Sequence, residues 1–385
     1  MKDIKKLALL AHEKSAGKLE IKSKVPLKTL GDLSTYYTPG VAAPCLEIAK
    51  NKELSYKYTS RGNMIAVITD GSAVLGLGNI GPEAAMPVME GKCALFKAFG
   101  DVDAFPICLG TQDTEEIIKT VKYLAPSFGG INLEDISAPR CFEIEERLIR
   151  ELDIPVFHDD QHGTAIVVLA GLINSLKITK KSADKVKIVV NGAGAAGTAI
   201  IKLLLEYGFK NFIAVDSKGI VYKGRENFED NKKELSEITN KGCVKGGLKE
   251  ATVGADIFIG VSKPNVLTKE MVKTMGRMPI IFAMSNPDPE INPKDANAAG
   301  AFIVATGRSD YPNQVNNVLA FPGVFKGALK AHAHRITTEM KIGAAKALAA
   351  LVKNPNPKKV IPGVFDKGVG EAVAKAIISS RRSCK

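Results

Sequence analysis

The sequence contains 385 residues, of which 45% are hydrophobic and 24% are charged. This length is enough for two domains with real cores, and the composition excludes an intrinsically disordered chain. No apolar run reaches the roughly 20 residues needed to cross a bilayer, and the apolar stretch after the basic N-terminus is too short for a signal peptide. We therefore expect a cytoplasmic protein that does not enter a membrane.

The net charge of +12 comes from 53 Lys and Arg residues against 41 Asp and Glu residues. A positive surface can attract nucleic acids, but this charge is mostly lysine, is scattered along the chain and is accompanied by no Trp. We expect a solvated lysine surface and no nucleic-acid partner. The six cysteines form no CxxC pattern, which indicates reduced structural thiols.

The first 160 residues alternate between strand and helix patterns. Strands are predicted at residues 64–69, 105–109 and 130–133, and helices at residues 5–16, 41–50, 85–99, 113–124 and 139–151. The run at residues 64–69 is almost entirely apolar, as expected of a buried parallel strand. The alternation predicts an N-terminal α/β domain over residues 1–162.

A second alternating block follows an apolar helix predicted at residues 165–176. Its strands are predicted at residues 186–190, 212–215, 257–261, 280–284 and 302–305, and helices at residues 336–352 and 368–379 form the tail. The block predicts a Rossmann-type, doubly wound parallel sheet over residues 163–385. Fold class is therefore α/β with two domains and an active site in the cleft between them.

A glycine-rich turn follows the strand predicted at residues 186–190. The turn consists of Gly192, Ala193, Gly194, Ala195, Ala196 and Gly197, and it leads into a predicted helix. The first glycine of such a turn permits a tight bend, the second lets the backbone approach a pyrophosphate, and the third allows helix and strand to pack closely. Since strand, turn, helix and a later acidic residue occur in order, the pattern predicts a dinucleotide site.

Asp216 is that acidic residue, and it ends the strand predicted at residues 212–215. It is expected to bind the ribose hydroxyls, which taken alone favours NAD. Ser217 and Lys218 follow at once, and a hydroxyl with a cation can accommodate the 2′-phosphate of NADP. The sequence leaves the choice between NAD and NADP open.

Two acidic pairs stand at predicted element ends: Glu134-Asp135 after a strand and Asp159-Asp160 before a helix. Carboxylate oxygens from such places can form a hard-cation site for Mg²⁺ or Mn²⁺. Both members of a pair can ligate only at an irregular terminus, because neighbours on a regular element point apart. Capping of the helix start remains the alternative role for Asp159 and Asp160.

Lys92 enters an apolar helix, and a lysine beside apolar surface can have a lowered pKa and act as a base. An ordinary surface lysine is the alternative interpretation. Tyr37 precedes a Pro-Gly turn and by composition alone belongs to a packed turn.

Together these segments resemble the malic enzyme family, in particular its shorter microbial members. The matching segments are Tyr37 to Ala42, Thr69 to Gly71, Leu75 to Asn79, Pro87 to Lys92, Glu134-Asp135, Phe157 to Ala165, the glycine turn, Met284 to Pro287, Asn316 to Val318 and Phe321 to Gly323. The resemblance extends over about residues 15–380 and implies oxidation and decarboxylation of malate to pyruvate, with reduction of NAD or NADP and a divalent Mg²⁺ or Mn²⁺ ion. It also implies a homodimer.

The resemblance assigns roles to individual residues. Tyr37 corresponds to the general acid, Lys92 to the general base and Asp159 to the carboxylate that pairs with the lysine. The metal ligands correspond to Glu134, Asp135 and Asp160. Asn286, also placed at the cofactor, and one of Asn316 and Asn317 correspond to residues that contact malate.

The sequence departs from the larger family members after Asp70-Gly71, where those proteins place an arginine for a substrate carboxylate. No cation occurs in residues 70–75. Backbone N–H groups at residues 76–81 or a residue of another subunit remain the alternatives for that carboxylate. Alternative functions are a malolactic enzyme, an amino-acid dehydrogenase, and a dinucleotide-binding regulator or nucleic-acid binder without catalysis.

Overall fold

The computed structural model describes residues 4–74, 76–226 and 230–383. Leu75, which begins one of the family-like segments, lies outside this range. Before the first strand the chain forms the helices α1 (Ile4–Ser15), α2 (Leu30–Tyr36), α3 (Ala42–Lys50) and α4 (Ser55–Tyr58). These four helices contain no buried residue, so the first 58 residues contribute little to the core.

The first sheet has four parallel strands in the order β2-β1-β3-β4. The strands are β1 (Met64–Thr69), β2 (Asp103–Cys108), β3 (Gly130–Leu133) and β4 (Val156–His158), and the helices between them are α5 (Pro82–Gly100), α6 (Thr114–Leu124) and α7 (Arg140–Glu151). The apolar residues from Ile65 to Ile68 of β1 are fully buried, as the sequence predicts. Because the strands are parallel, the loops at their carboxyl ends meet at one edge.

Helix α8 (Asp159–Thr179) connects the two sheets. It is long and apolar enough to cross a membrane, but most of it is buried inside the protein, as expected of a core helix. The amide of Asn174 donates to the carbonyl oxygens of Ala349 and Val360, both at 2.9 Å, which satisfies a buried polar group. The helix is therefore part of the folded core.

The second sheet has six strands in the order β10-β9-β8-β5-β6-β7, all parallel except β7. The strands are β5 (Lys187–Asn191), β6 (Asn211–Asp216), β7 (Gly219–Ile220), β8 (Ile257–Gly260), β9 (Ile280–Ala283) and β10 (Ile303–Thr306). The helices are α9 (Ala195–Tyr207), α10 (Asp230–Ile238), α11 (Leu248–Thr252), α12 (Lys269–Thr274) and α13 (Pro293–Ala298). Strand order reverses between β5 and β8, where ligands of such sheets bind.

Three helices end the described chain: α14 (Phe321–Lys330), α15 (Thr338–Leu351) and α16 (Val369–Ser383). Helix α14 packs on α5 of the first sheet, and the rings of Phe96 and Phe321 lie 4.6 Å apart between centroids. One buried apolar cluster includes residues of β1 and of β5. The C-terminal helices thus hold both sheets in one continuous core.

Candidate active site

A cleft with a volume of about 790 Å³ lies between the carboxyl ends of the two sheets. It is lined from the first half of the chain by Lys18, Lys92, Glu134, Asp135 and Asp160, and from the second half by Ala196, Ser262, Asn286, Asn316 and Asn317, among others. Residues predicted for substrate, metal and cofactor therefore face one space.

Three carboxylates lie close together at the carboxyl ends of strands β3 and β4. Ligand oxygens of Glu134, Asp135 and Asp160 all lie within 4.8 Å of one another. Asp135 has a φ of +54°, and its N–H donates to Asp160 Oδ2 at 2.9 Å. The left-handed backbone immediately after β3 breaks the alternation of the strand, which is how neighbouring acidic side chains reach the same site. Hard oxygen donors of this kind fit Mg²⁺ or Mn²⁺.

Lys92 lies beside these carboxylates and is 7% exposed. Its Nζ is 2.6 Å from Asp159 Oδ2 and 2.7 Å from Glu134 Oε1. Burial alone would lower the pKa of Lys92, but the two carboxylates outweigh burial and raise the pKa above its ordinary value. The expectation of a lowered pKa is therefore wrong, because the amine on this apolar helix lies between two anions.

Asp159 is fully buried at the start of α8. Burial raises its pKa to about 6, although Lys92 acts in the opposite direction. The amide of Asn317 also donates to Asp159 Oδ2. The described partners of Asp159 Oδ2 are Lys92 and Asn317, and its buried Oδ1 has no hydrogen-bond partner among the described residues, so Asp159 does not cap α8.

The two asparagines before α14 differ in their surroundings. Asn317 reaches Asp159, whereas Asn316 Oδ1 accepts the N–H of Val318 and caps the short turn Asn317–Leu319. Both line the cleft, as does Asn286 in the loop after β9. The structure thus brings the three predicted substrate asparagines together.

The glycine turn has the geometry expected of a dinucleotide site. Gly192 has a φ of +123°, and a Cβ there would lie 2.7 Å from the carbonyl oxygen of Val261. A Cβ at Gly197 would overlap the carbonyl oxygen of Gly192, whereas one at Gly194 would meet open space. The helix α9 begins at Ala195, so its N–H groups are directed to the region where a pyrophosphate binds. Of the turn residues, Ala196 lines the cleft.

Asp216 is held by a residue that the sequence analysis missed. The guanidinium of Arg225 forms an ion pair with Asp216, and the N–H of Lys218 donates to Asp216 Oδ1 at 2.9 Å. Burial would raise the pKa of Asp216, but Arg225 and Lys218 lower it. Ser217 lies in the turn after β6. Arg225 carries no sequence signal, because it meets Asp216 only through the turn formed by β7 and its flanking residues.

Tyr37 lies away from the groups that it is predicted to serve. It follows α2, is 65% exposed and is not among the residues that line the cleft. Within the described part of one chain, no tyrosine takes its place in the lining.

Arg140 was also missed. Its guanidinium contacts Asp70 Oδ2 at 2.8 Å and the hydroxyls of Ser72 and Ser137 at 3.0 and 3.1 Å. It also donates to the carbonyl oxygen of Gln112 at 2.5 Å. The loop after Asp70 is therefore held by an arginine from α7, although the loop contains no cation itself.

The chain matches two family models. "Malic enzyme, N-terminal domain" matches residues 16–116 and 110–149, and "Malic enzyme, NAD binding domain" matches residues 161–380. A bifunctional malic/malolactic enzyme of Bacillus subtilis is 59% identical over 96% of this chain and 91% of the relative. An NAD-dependent malic enzyme of Geobacillus stearothermophilus is 56% identical over 94% of this chain and 76% of the relative.

A solved structure of a malic enzyme also matches the chain in fold and sequence. The crystal structure of an NAD-dependent malic enzyme from Thermotoga maritima matches with a TM-score of 0.94 and 53% identity, covering 96% of this chain and 98% of that one. Sequence and fold both agree over nearly the whole length. The chain belongs to the malic enzyme family.

Proposed function

We propose that this chain oxidises malate with NAD⁺ or NADP⁺ and decarboxylates the product to pyruvate and CO₂, with a divalent metal. The observation that carries the proposal is the buried Lys92 ammonium between Asp159 and Glu134, beside a carboxylate triad and in a cleft shared with the dinucleotide turn. This arrangement supports the proposal, because a proton-transfer group, a cation site and a dinucleotide site would then share one space.

Glu134, Asp135 and Asp160 are the proposed metal ligands, because their oxygens converge and carboxylates are the donors that Mg²⁺ and Mn²⁺ prefer. The glycine turn would hold the dinucleotide, which would supply a hydride acceptor, and the three carboxylates would hold the divalent ion, which would supply stabilisation of negative charge on oxygen. Four carboxylates with one amine give the region excess negative charge, which a divalent ion would offset.

Lys92 is the proposed general base and takes the proton of the C2 hydroxyl. Its amine must be neutral to do so, and the pKa is now raised by Asp159 and Glu134. A divalent ion held by Glu134 would offset the charge of that carboxylate and would therefore lower the pKa of Lys92. Asp159 holds the amine in place and is itself held by Asn317, and Tyr37 is the proposed acid that protonates C3.

The proposal includes both NAD⁺ and NADP⁺ as cofactors. Asp216 is engaged by Arg225, with Lys232 Nζ 3.9 Å from Asp216 Oδ2, so positive charge surrounds the carboxylate that would otherwise repel a 2′-phosphate. We further propose that the domains divide near residues 162 and 163, within the first turn of α8.

The function is tested by nicotinamide absorbance with malate, Mn²⁺ and either NAD⁺ or NADP⁺. Reduced cofactor and pyruvate should form in equal amounts. Malolactic activity is the second candidate, because the Bacillus subtilis relative is named a bifunctional malic/malolactic enzyme. Lactate with no net cofactor reduction would assign that activity instead, and turnover of neither kind would remove both.

Lys92→Ala should lower kcat about 10²- to 10⁴-fold, because the base is lost. Steady-state kinetics measures the loss, and circular dichroism with NADH binding tests whether the protein remains folded. Lys97→Ala is the matched control on the same helix, since Lys97 pairs with Asp101 and Asp103 outside the cleft. A Lys92→Ala enzyme that keeps the wild-type kcat contradicts the assignment.

Metal removal should abolish turnover, and Mn²⁺ should restore it. Glu134→Gln should raise the Mn²⁺ dissociation constant by about 100-fold or more, since even outer partners of metal ligands change affinity about 10- to 100-fold. Titration calorimetry measures this constant independently of activity. Glu146→Gln, on the surface of α7, is the control. Equal Mn²⁺ affinity of wild type and Glu134→Gln would exclude Glu134 as a ligand.

We propose a homodimer that covers the N-terminal helices. Large apolar side chains there are exposed, including Ile4, Leu9, Leu30 and Leu46. Exposed apolar groups in such number mark an interaction surface. Because Tyr37 lies in this segment and outside the cleft of its own chain, we place it at the cleft of the second copy.

Two inactive variants test this arrangement together. Tyr37→Phe and Lys92→Ala should each be nearly inactive, but a refolded equal mixture should regain about a quarter of wild-type activity, because half of the dimers contain one intact site of two. Sedimentation should give twice the chain mass of 41.1 kDa. A monomer, or a dimer mixture without recovered activity, would overturn the shared site.

A further inference from the structure

Lys18 is a cation of the cleft that no sequence motif indicates. It follows α1, lines the cleft and donates from Nζ to the carbonyl oxygen of Pro87 at 2.7 Å. Gly17 beside it packs on the same helix, where an added Cβ would lie 2.8 Å from Glu90 Oε1. These two contacts fix the segment against α5, five residues before Lys92.

Lys18 is one of few positively charged side chains that line the cleft. Among the described residues that line the cleft, the cations are Lys18 and Lys92, and the anions are Glu134, Asp135 and Asp160. Lys92 is already held between two carboxylates. Because carboxylates outnumber lysines along the cleft, Lys18 offers a dianionic substrate a positive group apart from the proposed metal site.

The arginine that contacts the loop after Asp70-Gly71 is committed elsewhere. The Nη1 and Nη2 groups of Arg140 donate hydrogen bonds to Asp70, Ser72, Ser137 and the carbonyl oxygen of Gln112. Arg140 does not line the cleft. Lys18, in contrast, has one described hydrogen bond. An ammonium group has three N–H donors, and the Pro87 carbonyl accepts one of them, so the remaining donors can face a ligand.

We propose that Lys18 binds the malate carboxylate that lies away from the proposed metal site. Lys18 then replaces the arginine that is missing after Asp70-Gly71, and it makes the cleft selective for 2-hydroxy acids with a second carboxylate. The inference rests on the proposed malate oxidation. Because this contact exists before and during the reaction, it strengthens substrate binding more than it changes the chemical step.

Lys18→Met tests the proposal. Malate KM should rise about 10- to 100-fold with kcat little changed, as expected for the loss of one charge-assisted hydrogen bond. Lys18→Arg should recover part of the affinity. Lys24→Met is the matched control, because Lys24 is another exposed lysine of the same segment and pairs with Asp103 outside the cleft.

Inhibitor binding separates recognition from a structural effect. Tartronate, a 2-hydroxy acid with two carboxylates, should bind Lys18→Met more weakly, whereas lactate, which has one, should bind both enzymes alike. Equal weakening of tartronate and lactate, or an unchanged malate KM in an active enzyme, would overturn the role of Lys18. Failure of the wild type to oxidise malate would instead refute the proposed function.

Discussion

The buried ion pairs of Lys92 are the interaction on which the site depends. A charge removed from water is tolerated only with partners, and breaking such a pair costs about 3–5 kcal/mol because the remaining charge is uncompensated. The amine therefore fixes α5, the end of β3 and the start of α8 relative to one another. Asn132 holds the second oxygen of Glu134 at 2.9 Å, which limits the freedom of that carboxylate further.

The parallel topology explains why these groups meet at all. Asp70, Glu134 and Asn286 each follow a strand at its carboxyl end, and the two sheets present those ends to a common cleft. The C-terminal helices complete the arrangement. Packing of Phe321 on Phe96 holds the turn before α14 close to α8, and so the amide of Asn317 reaches a carboxylate that lies 158 residues earlier.

Much of this was predictable because the signals are local. The apolar run of β1, the glycine turn before α9 and the acidic pairs at element ends are each encoded within a few neighbouring residues, and the fold class and family follow from them. The strand β4 is three residues long and has too little pattern to be predicted. The pairings of Arg140, Arg225 and Lys18 depend on contacts that only the folded chain creates. For the same reason the pKa of Lys92 could not be inferred from its apolar neighbours, since Asp159 is 67 residues away in sequence.

The residues of the proposed site belong to two parts of the chain, the buried core and the exposed N-terminal segment. The lysine, the carboxylates and the glycine turn belong to the buried core or its edge, so folding of one chain is sufficient to place them. Tyr37 instead follows one of the N-terminal helices, which contain no buried residue, whereas Lys18 in the same segment is fixed by its bond to the carbonyl oxygen of Pro87. If a second copy covers that segment, association also orders the tyrosine proposed to protonate the product. Binding of malate and association of the chains then favour the same state, so each strengthens the other.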